Sequence, residues 1–204
     1  DQFYKNVFKK ENNNFLRLGD IFKITKNNSL SGPINRNFSL LGDPSMILNY
    51  PKLDIELNIP DSLSLDTLRA LEKYSFKGEI NTNGKKVENF NGEVFIDFFD
   101  KLSDKETLGD ESDPFYFREW DKSIFRGSST VNNGNFNFEF VVPKNIEYNF
   151  GKAKITMYAI DSINQIDANG SNIDFSIGGT SKNFSGDENP PNINIYFNDR
   201  TFKS

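Results

Sequence analysis

The 204-residue chain contains no cysteine and no histidine. Without cysteine there is no disulfide framework, no thiolate nucleophile and no thiolate metal site. Without histidine the commonest general base and metal ligand is gone. A hydrolase built from these residues would need paired carboxylates or a Ser–Lys dyad. No apolar run approaches the roughly 18–20 residues of a membrane-spanning helix, and the opening Asp1–Lys5 lacks the pattern of a secretory signal. Basic residues are not in excess: the net charge is −5 and the isoelectric point near 4.9. That balance argues against a nucleic-acid partner, which needs a clustered basic face. Hydrophobic residues make up only 36%, but 21 of them are phenylalanines. Each can remove roughly 150–250 Å² from water, so the chain is long enough and aromatic enough to bury a core.

Phe38–Pro51 divides the chain. Before it the pattern is helical and mixed; after it, period-two alternation dominates. Within it, Phe38–Leu41 and Met46–Leu48 read as two short strands around a Gly42-Asp43-Pro44-Ser45 turn. Pro44 presets φ there, and Asp43 can bond its own backbone two residues on. Upstream, Phe3, Tyr4, Val7 and Phe8 have the spacing of an amphipathic helix end. Asn12–Asn14 reads as a loop, and Leu18, Ile21, Phe22 and Thr25 predict a second helix stopped at Asn27-Asn28. Ser31–Arg36, broken by Gly32-Pro33, reads as a loop. Residues 1–50 are expected to be the end of a larger α/β domain.

From residue 51 to 186 the expectation is an immunoglobulin-like antiparallel β-sandwich. Leu53–Ile59, Tyr74–Ile80 and Val94–Phe98 alternate, and Phe95 with Phe99 makes both faces of the last partly apolar, so it is placed centrally. Asp66 would cap one helical turn over Leu68–Leu71. Residues 101–123 form a charged insertion with Trp120 inside. Ile124–Val131 and Phe136–Val142 read as a hairpin about Asn132–Asn135. Ala153–Ala159 and Ile173–Ile177 complete the strands. Asp187–Pro191 reads as a linker, and Ile193–Phe197 as a fresh strand of a following domain (187–204) or an edge strand.

No catalytic, cofactor-binding or metal-binding residue is assigned. Asp167–Asp174 offers oxygen ligands at spacings near those of a calcium loop but lacks the second acidic position and the terminal Glu, and a plain Asn-Gly turn between strands is the preferred reading. Asp187–Asn189 reads as a calcium-holding junction or as a solvated linker. Trp120 is either an exposed anchor for sugar or protein, or a plug for the sandwich end. Asp97 and Asp100 have the spacing of an acid/base pair that any chain with 29 acids would show by chance. Asn27, Asn37, Asn169 and Asn183 head glycosylation-like triplets.

Leu16-Arg17-Leu18-Gly19-Asp20-Ile21 and Arg36-Asn37-Phe38-Ser39-Leu40-Leu41-Gly42-Asp43-Pro44-Ser45 resemble the end of the gingipain-type cysteine peptidase domain. In that family a helix and a final strand ending in Leu-Gly-Asp-Pro precede an immunoglobulin-like domain. Asp66–Leu71, Leu108–Asp110, Phe125–Gly127, Phe140–Lys144, Ile177–Thr180 and Ile193–Asp199 resemble its sortase branch, from the type IX secretion system of Bacteroidetes. The family's catalytic His and Cys lie upstream of the matching segment, so no residue here inherits their role. The resemblance implies a parent protein at the outer-membrane surface that removes the C-terminal sorting domain from cargo and joins the cargo to lipopolysaccharide. Its implied partners are the catalytic domain of its own chain, the outer-membrane barrel PorV and secreted cargo. The competing reading is a surface β-sandwich that binds glycan or protein.

Overall fold

The computed structural model describes residues 2–12, 14–59, 67–110 and 113–181. The chain divides into two compact units, Asp1–Pro51 and Lys52–Ser204. The Asp187–Pro191 linker and the strand from Ile193 lie outside the described residues, as does Asp66.

The first unit comprises α1 (Gln2–Val7), the small hairpin β1 (Lys10–Glu11) and β2 (Asn14–Phe15), α2 (Leu18–Asn28) and α3 (Pro33–Asn37). Leu18, Ile21 and Thr25 fall on one face of α2 and are buried. Ile21 packs with Val7 and Leu16, backed by Phe3, Ile24 and Leu48. The segment expected to be a loop contains α3, with Pro33 in the first helical position, where its missing N–H costs nothing.

Phe38–Leu41 and Met46–Leu48 are not strands: no described strand lies beside them. Their backbone serves α2 instead, whose start has no side-chain cap. The Leu18 N–H donates to the Met46 carbonyl at 2.8 Å and the Gly19 N–H to the Pro44 carbonyl at 2.9 Å, satisfying two of the donors a helix start leaves open. The approach is close enough to demand glycine, since a Cβ on Gly19 would stand 2.8 Å from Pro44 Cβ. The turn between them forms as its sequence dictates, with Asp43 Oδ1 accepting from the Ser45 N–H at 2.8 Å.

The second unit is mainly β and forms a β-sandwich. Its strands are β3 (Leu53–Asn58), β4 (Thr67–Ala70), β5 (Lys73–Thr82), β6 (Lys85–Lys86), β7 (Gly92–Phe99), β8 (Ser103–Glu106), β9 (Tyr116–Glu119), β10 (Ser123–Val131), β11 (Asn135–Val141), β12 (Gly151–Lys152), β13 (Lys154–Asp161), β14 (Ile166–Asn172) and β15 (Ser176–Thr180). The main sheet runs β10-β7-β13-β14-β3-β5-β11, with β6 beside β5; a smaller sheet runs β12-β15-β4. Two described pairings are parallel: β14 with β3, and β15 with β4. The rest are antiparallel. β7 lies between β10 and β13, an interior position as its two apolar faces require.

Phenylalanines fill the interior. Phe76 on β5 is fully buried and lies within 5.2–6.2 Å, centroid to centroid, of Phe98, Phe138, Phe140 and Phe175. Phe125 on β10 stacks over Phe138 and Phe140 on β11.

Four expectations are corrected. Leu68–Leu71 is no helical turn, because Thr67–Ala70 pairs with β15. β10 and β11 do not form a ladder with each other. The turn at Asn133-Gly134, both in the left-handed region, joins them, but β10 hydrogen-bonds to β7 and β11 to β5. The two are the end strands of the main sheet, and their apolar faces meet through Phe125, Phe138 and Phe140. Residues 101–123 are not an irregular insertion, since β8 and β9 pair within them. Finally, Asn169-Gly170 is not a turn but the middle of β14, and Ile173, half exposed, lies past its end. Gly170 is there because a Cβ would stand 2.3 Å from the Ile55 carbonyl on β3.

Candidate functional site

Asp97 and Asp100 sit on one strand run but serve different partners. Asp97 on β7 points to the outer face of the sheet, where Arg126 Nε on β10 contacts both its oxygens at 2.9 Å and Ser123 Oγ donates at 3.1 Å. Asp100 is buried at the end of β7. Its Oδ1 accepts from Lys101 Nζ at 2.7 Å and its Oδ2 from the Glu147 N–H at 3.1 Å. Each carboxylate is committed to its own cation, so neither is set up as the other's acid/base partner.

Asp100 anchors a charged cleft of about 400 Å³ that also takes in Lys101, Ser103, Lys105, Asp121, Lys122 and Glu147. Lys101 Nζ bonds the Glu147 carbonyl as well, at 2.7 Å. Lys105 pairs with Asp121, and Ser103 Oγ donates to Asp121 at 2.7 Å. These two donors pull the Asp121 carboxyl down to about 2. Within the cleft Lys101 is paired with Asp100 and Lys105 with Asp121.

Above it rises the β8–β9 hairpin, with Leu108, Phe115 and Tyr116 largely exposed and Phe115 stacked on Phe117 at 6.5 Å. Trp120 lies at its foot, half-buried, with Lys154 Nζ 4.8 Å from the ring centroid. Its Nε1 is shut off from solvent and has no partner among the described residues.

The outer face of β10, β7 and β13 carries a second feature, a shallow trough of about 410 Å³. Phe95 on β7 stands opposite Tyr158 on β13, both more than 40% exposed. In the next row of the same face lie Arg126, Asp97 and Thr156. The Tyr158 hydroxyl donates to Asp167 Oδ2 at 3.1 Å; desolvation, and then this carboxylate acceptor, raise the phenol's pKa. Phe95 stands out in the sequence as an apolar residue on the wet face of its strand, whereas nothing local marks Tyr158 or Arg126 as its neighbours. Tyr158 occupies a polar-phase position of β13, and that was the available signal.

The calcium spacing at Asp167–Asp174 is spread along a strand. From Asp167 to Asn172 the chain rises roughly 17 Å, so those oxygens do not converge. Among the described residues no group of three or more acidic side chains could hold a metal. Asp187–Asn189 and Asn183 lie outside the described residues.

No family profile and no curated protein matches the chain. Among solved structures it resembles the dimeric latent PorU from Porphyromonas gingivalis at 26% identity and a TM-score of 0.61. The match covers 98% of this chain and 20% of that one. The chain is similar to that part of PorU. It spans about a fifth of the PorU chain it matches, and the likeness runs through both units. It also resembles the sporulation control protein Spo0M from Bacillus subtilis at 14% identity and a TM-score of 0.39, over 64% of this chain and 51% of that one.

Proposed function

We propose that the chain is a non-catalytic accessory segment of a PorU-like C-terminal signal peptidase and sortase of the gingipain family, acting in type IX secretion at the outer-membrane surface. The observation that supports this reading is the PorU likeness over 98% of the chain, at an identity high enough to extend past fold alone. The chemistry agrees with an accessory role: without Cys or His the chain lacks the family's nucleophile and base. Asp97, Asp100 and Asp121 are each paired with a cation of their own. In this reading the sandwich braces the catalytic domain or contacts cargo and the barrel PorV.

The test is made on the full-length gene. It should encode a peptidase domain with a Cys and a His ahead of Asp1, and deleting residues 52–181 should leave cargo at the cell surface with its sorting domain uncut. A gene without that domain, or normal cargo processing after the deletion, overturns the reading.

A further inference from the structure

We propose that the trough on the outer face of β10, β7 and β13 binds a neutral sugar ring, with Phe95 and Tyr158 as the stacking platform. The proposal does not depend on the sortase reading.

Three features define what fits. The Phe95 and Tyr158 rings lie on adjacent strands in register and remain substantially exposed, although the interior a few ångströms away is built from the same residue type. A cross-strand pair left open to water presents apolar area that a flat, half-apolar ligand can cover. In this row Ser128, and in the next Thr156, carry hydroxyls with no partner among the described residues, free to donate and accept. Arg126 and Asp97 are locked together through both carboxylate oxygens. The trough therefore offers fixed polar edges with no net charge. Its volume of about 410 Å³ lies within the usual range for small-ligand sites.

The same features exclude other ligands. A phosphate-bearing ligand would meet an arginine already neutralised, on a chain of net charge −5. An extended peptide adds to a sheet through free backbone N–H and C=O groups at an edge. This trough lies on the side-chain face of β10, β7 and β13 and not along the outer edge of β10, where a strand would add. A pyranose matches: one face of C–H groups for the rings, and equatorial hydroxyls for Thr156, Ser128 and the Arg126–Asp97 pair.

The 204-residue chain is titrated by calorimetry and by NMR with cellohexaose, maltohexaose, mannohexaose and a chitin hexamer. At least one should bind in the micromolar to millimolar range, with shifts centred on Phe95 and Tyr158. Phe95→Ala and Tyr158→Ala should each weaken binding at least 10-fold, while Tyr158→Phe keeps the platform and most of the affinity. Phe115→Ala on the β8–β9 hairpin should leave binding unchanged. Circular dichroism confirms that each variant is folded, and Tyr158→Phe covers a Tyr158→Ala that does not fold. No binding by any of the four sugars, or binding indifferent to Phe95 and Tyr158, overturns the proposal.

Discussion

Phe76→Ala tests the claim that one aromatic cluster holds the sandwich. Phe76 is fully buried and is ringed by Phe98, Phe138, Phe140 and Phe175. These neighbours come from β7, β11 and the segment before β15, so no local shift of one strand can refill the space. Truncation loses both the transfer energy of the ring and the contacts around the cavity, about 3–5 kcal/mol for Phe→Ala. The immobile surroundings place the expected loss in the upper half of that range. With total stabilities of about 5–15 kcal/mol and roughly 2–4 °C of Tm per kcal/mol for chains of this size, Tm should fall by about 8–20 °C. Urea unfolding followed by circular dichroism should show a lower midpoint at unchanged slope. Phe115→Ala is the control: its ring is two-thirds exposed, and surface changes stay within about 0.5 kcal/mol. A Phe76→Ala loss below about 1.5 kcal/mol, or an equal loss at Phe115, refutes the reasoning.

Two further outcomes follow from buried charge. Lys101→Ala strands the Asp100 carboxylate, whose side chain is 2% exposed, and should cost about 3 kcal/mol, the low end for a broken buried pair, because Lys122 Nζ remains 4.0 Å away; urea melts should show the double change Asp100→Asn with Lys101→Met recovering part of the loss. Asp161 is fully buried and accepts from the backbone N–H groups of Asn164, Asn91 and Ile163 and from the Asn164 amide, and these bonds, led by that of Asn164, hold its pKa below 3.8. A carboxyl depressed on folding contributes stability above its unfolded pKa and loses it as pH falls through the folded one, so the wild type should weaken from about pH 4.5 downward. Asp161→Asn should be less stable at pH 7 by about 1–3 kcal/mol and should show a flatter acid limb in melts between pH 5 and 2.

Much of the sandwich was legible because its strands are half-buried and alternate. Phe136, Phe138 and Phe140 announce an inward face, and Phe95 with Phe99 announces an interior strand. Pairing was less legible, because alternation fixes a face and not a neighbour. Hence β10 and β11, consecutive and joined by Asn133-Gly134, have the pattern of a hairpin while their ladder bonds go to β7 and β5. Asn169-Gly170 shows the same limit from the other side. Its glycine answers to the Ile55 carbonyl more than 100 residues earlier, and no local pattern carries that information. In the first unit, Leu40, Leu41, Ile47 and Leu48 look like strand residues, but their segment lends its carbonyls to α2. The trough was hidden because Arg126 and Tyr158 take part in it only through registry with β7.

β14 joins what are otherwise two separate three-strand assemblies, β10-β7-β13 and β3-β5-β11, and it meets β3 through only two register pairs, Ala168–Leu53 and Asn169–Asp54. A chain emerging from its N-terminal end can complete β3-β5-β11 once Val141 has appeared and β10-β7-β13 once Asp161 has, but cannot join the two until residue 169 follows. Such late, distant closure is slow. Until that join is made the phenylalanines of β5 and β11 lie on one leaf and those of β7 and β10 on another, and the unit can either close on itself or stick to a neighbour.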